Sequence, residues 1–160
     1  GQLDTTCMHA FVGETVVLPC TTTPLGEQTL SKSMLYWQIG TKLVHFFKNG
    51  QDSLDGQDGE FRNRTSLFLE QMKDGNLSLK ISNVQLQDNA EYSCIYRQTE
   101  NHQTDKYTIK LKVSAAPRIE EPPSPSEQNQ IPSGSPVDVQ CLALLPLSFL
   151  LLVPLGLWHL

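Results

Sequence analysis

The sequence predicts an all-β sandwich of two packed sheets over residues 1–114, and two observations carry the prediction. Between Cys7 and Val113, short segments alternate apolar and polar side chains and are broken by turn residues about every ten positions. On three of these segments stand Cys20, Trp37 and Cys94, in that order, with Tyr92 two places before the last.

The elements follow in order. In the run 14–20, Val16, Leu18 and Cys20 share one face, because strand side chains alternate with period two, and Gly13 marks the turn before it. Met34 to Ile39 sends Leu35, Trp37 and Ile39 inward, and with the apolar run Leu43–Phe47 it reads as a hairpin. Asn49-Gly50 and Asp58-Gly59 are dipeptides that readily take positive φ and so read as turns, with a polar exposed edge, Gln51 to Asp58, between them. Thr65–Leu69 and Leu77–Ile81 are two more strands, separated by a turn at Lys73 to Asn76. In the last pair, Glu91–Arg97 and Tyr107–Val113, residues Tyr107, Ile109, Leu111 and Val113 face one way and Thr108, Lys110 and Lys112 the other. The loop between them, Gln98 to Lys106, is polar, and no stretch of the folded part has helical period.

The order Cys20, Trp37, Tyr92, Cys94 matches an immunoglobulin-like Greek-key sandwich, in which a disulfide joins the sheets, a Trp packs on it and the Tyr hydroxyl bonds to backbone at a corner. The roughly 74 residues from Cys20 to Cys94 leave room for the extra strand pair of the variable type. All four are expected to be structural.

Arg64 to Phe68, Gly75 to Ile81, Val84 and Asp88 to Cys94 together resemble the variable domains of butyrophilins, costimulatory ligands and myelin oligodendrocyte glycoprotein. The resemblance covers about residues 7–114 and implies an ion pair between Arg64 and Asp88 across the bottom of the sandwich. Asn89-Ala90 and Cys7 depart from the family pattern. For Cys7 the expectation is a buried thiol, the other reading being a link to Cys141 or another chain.

Residues 115–141, rich in Pro, Ser and Glu, read as an extended stalk. Ala116 to Ile119 with Val137 to Cys141 resemble the start of a second, constant-type domain that the remaining sequence does not complete, as in a truncated or alternatively spliced product. Residues 142–160 are apolar, and two readings stay open: a membrane-spanning segment, or a glycolipid-anchor signal with its attachment site near Ser133-Gly134-Ser135. The start at Gly1 without an apolar leader fits a removed signal peptide. Sequons at Asn63 and Asn76 fit the same secretory route and are expected to carry glycans.

The net charge of -5 and the scatter of Lys and Arg along the chain exclude a nucleic-acid binder. The cysteines lack zinc-site spacing, and the four histidines, His9, His45, His102 and His159, lie in unrelated contexts without a nucleophile or acid–base motif. No catalytic, cofactor-binding or metal-binding residue, no cofactor and no small-molecule substrate is therefore assigned.

The resemblance implies protein binding at the external side of the plasma membrane. The resemblance implies that the sheet holding Trp37, Phe46 and Cys94 meets the partner, and parity turns Tyr36, Gln38, Ser93, Ile95 and Arg97 to its outer face, joined by the loop after Arg97. The function the resemblance implies is that of an immune ligand or modulator engaging a receptor on T cells or other leukocytes and regulating their activation. The alternative is a homophilic adhesion molecule.

Overall fold

A computed structural model describes residues 5–117 and Cys141. The chain divides into two compact units, Gly1–Arg118 and Ile119–Leu160, and every strand described here belongs to the first. Apart from residues 115–117 and Cys141, the stalk, the second-domain remnant and the apolar segment lie outside the described residues. No helix among the described residues is long and apolar enough to cross a membrane.

Nine strands form two sheets: β1 Thr6–Phe11, β2 Val16–Leu18, β3 Ser33–Ile39, β4 Lys42–Lys48, β5 Gln51–Asp52, β6 Thr65–Leu67, β7 Leu79–Ile81, β8 Ala90–Gln98 and β9 Thr104–Ser114. The larger sheet runs β1-β9-β8-β3-β4-β5 and the smaller β2-β7-β6. All neighbours are antiparallel except β1, which pairs with β9 in parallel. The β4–β5 hairpin widens the sheet of β9, β8 and β3, as in variable-type sandwiches.

Period-two alternation builds the core. Leu35 and Trp37 on β3, Tyr92, Cys94 and Tyr96 on β8, and Ile109, Leu111 and Val113 on β9 are buried, and they face Val16, Leu18, Leu79 and Ile81 from the small sheet. Cys20, just after β2, is disulfide-bonded to Cys94 on β8, with Cα atoms 6.6 Å apart, so the bridge ties the layers together. Trp37 is fully buried, and its indole N–H donates to the Leu77 carbonyl at 3.0 Å, which satisfies its polar edge inside an apolar layer. Tyr92 donates its hydroxyl to the Asp88 carbonyl at 2.8 Å.

Several local expectations are corrected. A helix, α1 (Gly26–Leu30), precedes β3, and a 3-10 segment occupies Leu69–Asp74 where a strand end and a turn were expected. A helix of five residues is too short to display a 3.6-residue period. The 3-10 segment ends at Gly75 with φ 98°, where an added Cβ would collide with the Thr22 carbonyl, so only glycine fits. Asn49 and Gly50 do take positive φ, but Asp58 is extended and caps a 3-10 turn by accepting from the Glu60 N–H. The polar loop shrinks to residues 99–103, because Thr104 to Lys106 pair with β8.

Cys7 is corrected as well. It is disulfide-bonded, as is Cys141, and no cysteine among the described residues is free. On β1 it is Met8 and Ala10 that pack on the core, so Cys7 points to the other side of the strand, away from the interior that would bury a thiol.

Candidate partner-binding face

The larger sheet presents its outer face through β4, β3, β8 and β9. Tyr36 on β3 stands opposite Phe46 on β4 and Ile95 on β8. The Tyr36 and Phe46 rings stack with centroids 4.5 Å apart and planes inclined by 14°, and the Tyr36 hydroxyl reaches the Met34 sulfur at 3.5 Å. Gln38 lies opposite Ser93, Arg97 opposite Met34, and Ile95 opposite Lys106. Tyr36, Phe46, Gln38, Ser93 and Ile95 are half-buried and Arg97 is exposed, so a low apolar centre lies among polar and charged neighbours.

The structure therefore brings Tyr36, Ile95 and Gln38 into adjacent rungs and sets Arg97 one outward position beyond Ile95. Phe46 joins them, although parity in its own segment conceals it: a bulge in β4 buries both Val44 and His45 and shifts the register between Trp37 and Gln38. The loop at 99–103 is held by Asn101, which donates to Gln98 and Gln103, and by an ion pair between Lys32 and Glu100.

The remaining residues singled out in the sequence support this face from elsewhere. Arg64 and Asp88 form a two-point ion pair, Nη1 to Oδ2 at 2.8 Å and Nη2 to Oδ1 at 3.0 Å, and Arg64 also donates to the Glu60 carbonyl. Its hydrogen bond to Asp88 pushes the guanidinium pKa further up. Asn89, a departure from the family pattern, fastens the end of β9, since its amide donates to the Leu86 and Val113 carbonyls and accepts from the Val113 N–H. His45 is buried, with one ring nitrogen 2.8 Å from Thr65 Oγ1 and the other 2.8 Å from Asp52 Oδ1, so it is a core polar residue. Asn63 is exposed in a left-handed conformation, whereas Asn76 is half-buried with its amide on Gln71 Oε1 and its carbonyl oxygen on the Ser78 N–H. Both sequons adjoin the smaller sheet. Among the described residues no group of three His, Cys, Asp or Glu side chains is placed to hold a metal ion.

The immunoglobulin V-set domain model matches residues 4–114. The chain belongs to the immunoglobulin V-set family. Its V-set domain is 42% identical over 85 residues to the human V-set domain-containing T-cell activation inhibitor 1, a match covering 52% of this chain and 29% of that protein. Human myelin-oligodendrocyte glycoprotein is 30% identical over 106 residues (66% of this chain, 42% of that one), and cattle butyrophilin subfamily 1 member A1 is 32% identical over 106 residues (66% and 20%). Among solved structures, the human B7-H4 IgV-like domain superposes with a TM-score of 0.61 at 33% identity, covering 70% of this chain and 96% of that one. A chain from a complex of ICOS with ICOS-L and an anti-ICOS-L VNAR domain gives a TM-score of 0.64 at 25% identity, covering 70% and 56%. The chain thus spans less than half the length of these curated relatives. V-set domains and these relatives are non-enzymatic.

Proposed function

We propose that this chain is a cell-surface ligand or modulator of the immune system, displayed on the external side of the plasma membrane, that engages a protein receptor on T cells or other leukocytes and regulates their activation. The observation that carries the reading is the Tyr36–Phe46 stack with Ile95 across the ladder, an apolar centre on an open sheet with Arg97 at its margin. Aromatic and Arg side chains are the types that dominate binding energy in protein interfaces. The similarity to a T-cell activation inhibitor supports an immune partner.

The test is binding of the full chain, displayed on beads, to leukocytes. Replacing Tyr36, Ile95 and Arg97 together with Ala should abolish binding and move the thermal midpoint little, because none of the three belongs to the buried core. Undiminished binding by that variant would reject the face.

A further inference from the structure

We infer that the docking face is built for an acidic protein surface and is closed to a second copy of this chain. The inference rests on the reading of that face as the docking site and names the chemistry of what it meets. Strand parity and register put Lys48, Arg97, Lys106 and Lys112 on the outer side of the larger sheet, although the whole chain carries a net charge of -5. Among the described strand residues of that face the carboxylate is Glu91, which stands opposite Lys110.

Four carboxylates outside the strand positions of that face are engaged in ion pairs. Asp88 is buried against Arg64, Asp52 meets His45, Glu60 meets Lys42, and Glu100 meets Lys32. Lys48 and Lys106 flank the apolar centre, since Lys48 is opposite Met34 and Lys106 opposite Ile95. A partner that covers Tyr36, Phe46 and Ile95 must therefore offer an apolar centre with carboxylates around it, because charge complementarity steers encounter and fixes register. Two copies meeting face to face about a two-fold axis would bring the same cations together, with Glu91 as the carboxylate among the described strand residues of each face.

The experiment displays the full chain on beads and counts capture of leukocytes, of leukocytes treated with heparinases, and of cells expressing this same chain, at low and at physiological salt. Capture of leukocytes should survive heparinase and fall as salt rises, and cells expressing the chain should not be captured. The double variant Lys48→Glu/Lys106→Glu should lower capture about tenfold, while Lys48→Arg/Lys106→Arg keeps it. If charge reversal leaves capture intact while Tyr36→Ala/Ile95→Ala abolishes it, the acidic partner is overturned and the docking face stands. If neither variant reduces capture, or no leukocyte is captured, both readings fall. Loss of capture after heparinase identifies a sulfated glycan instead, and capture of chain-expressing cells identifies a second copy; either result overturns the inference.

Discussion

The Arg64 guanidinium holds the Asp88 carboxylate through two parallel hydrogen bonds at the foot of the sandwich, with Asp88 1% and Arg64 16% exposed. The same carboxylate accepts from the Gln85 N–H at 2.8 Å, and the backbone carbonyl of Asp88 takes the Tyr92 hydroxyl. One residue thus joins the loop before β6, the turn before β8 and the core.

Removing the arginine strands a buried carboxylate. Arg64→Ala should lower unfolding stability by about 3 kcal/mol, the range for breaking one side of a buried pair. Because Asp88 is then already unpaired, Arg64→Ala with Asp88→Ala should cost less than the sum of the two single changes. Chemical denaturation of the four proteins measures this, and full additivity would contradict a direct pair.

Tyr92 confers a pH dependence on the alkaline side. Burial, and next the Asp88 charge, raise its hydroxyl pKa well above the ordinary 10.0, and burial raises that of Tyr96 too. Above pH 10.0 the unfolded chain loses these protons while the folded one keeps them, so the unfolded state binds fewer protons and stability falls as pH rises toward the folded pKa. Tyr92→Phe should be less stable near neutral pH, through loss of the bond to the Asp88 carbonyl, and should decline less steeply above pH 10.0. Thermal midpoints across that range would show it, and parallel curves for the two proteins would contradict it.

The denatured, unreduced protein should show no thiol toward a thiol-specific dye, because no described cysteine is free. Cys20→Ala/Cys94→Ala should cost about 2–5 kcal/mol or prevent folding altogether. Any thiol in the native chain, or a variant as stable as the parent, counts against the assignment.

The sequons should behave differently on substitution. Asn63→Gln should remove one glycosidase-sensitive step in gel mobility and leave stability unchanged, since Asn63 is exposed. Asn76→Gln should remove another and also destabilise by about 1 kcal/mol, because the Asn76 side chain spans from Gln71 to the Ser78 N–H. Mobility before and after glycosidase, together with thermal melts, decides the point.

Much of the sandwich was legible because burial of one sheet face writes itself into the chain with period two. Leu35 and Trp37, or Ile109, Leu111 and Val113, can be assigned inward without knowing their neighbours. Tyr36, Gln38, Ser93, Ile95 and Arg97 followed by the same parity. Legibility failed where no period exists: at the five-residue helix, at the 3-10 segment before Gly75, and at the bulge that buries Val44 and His45 side by side. The fate of Cys7 was hidden because its half-exposed side depends on β1 lying beside β9.

From composition and pattern alone come the two-layer architecture, the residues that fill its interior, and the outward direction of each strand's alternate side chains, since these depend on local backbone geometry and the exclusion of water. Which outward side chains share a neighbourhood depends on strand order, and that is a long-range matter. Only when β9 pairs with β8, and β8 with β3, do Lys48, Arg97 and Lys106 gather around Tyr36, Phe46 and Ile95 from positions scattered along the chain. The charge of the face is thus a property of the folded sheet, assembled by hydrogen-bond register between segments far apart in sequence.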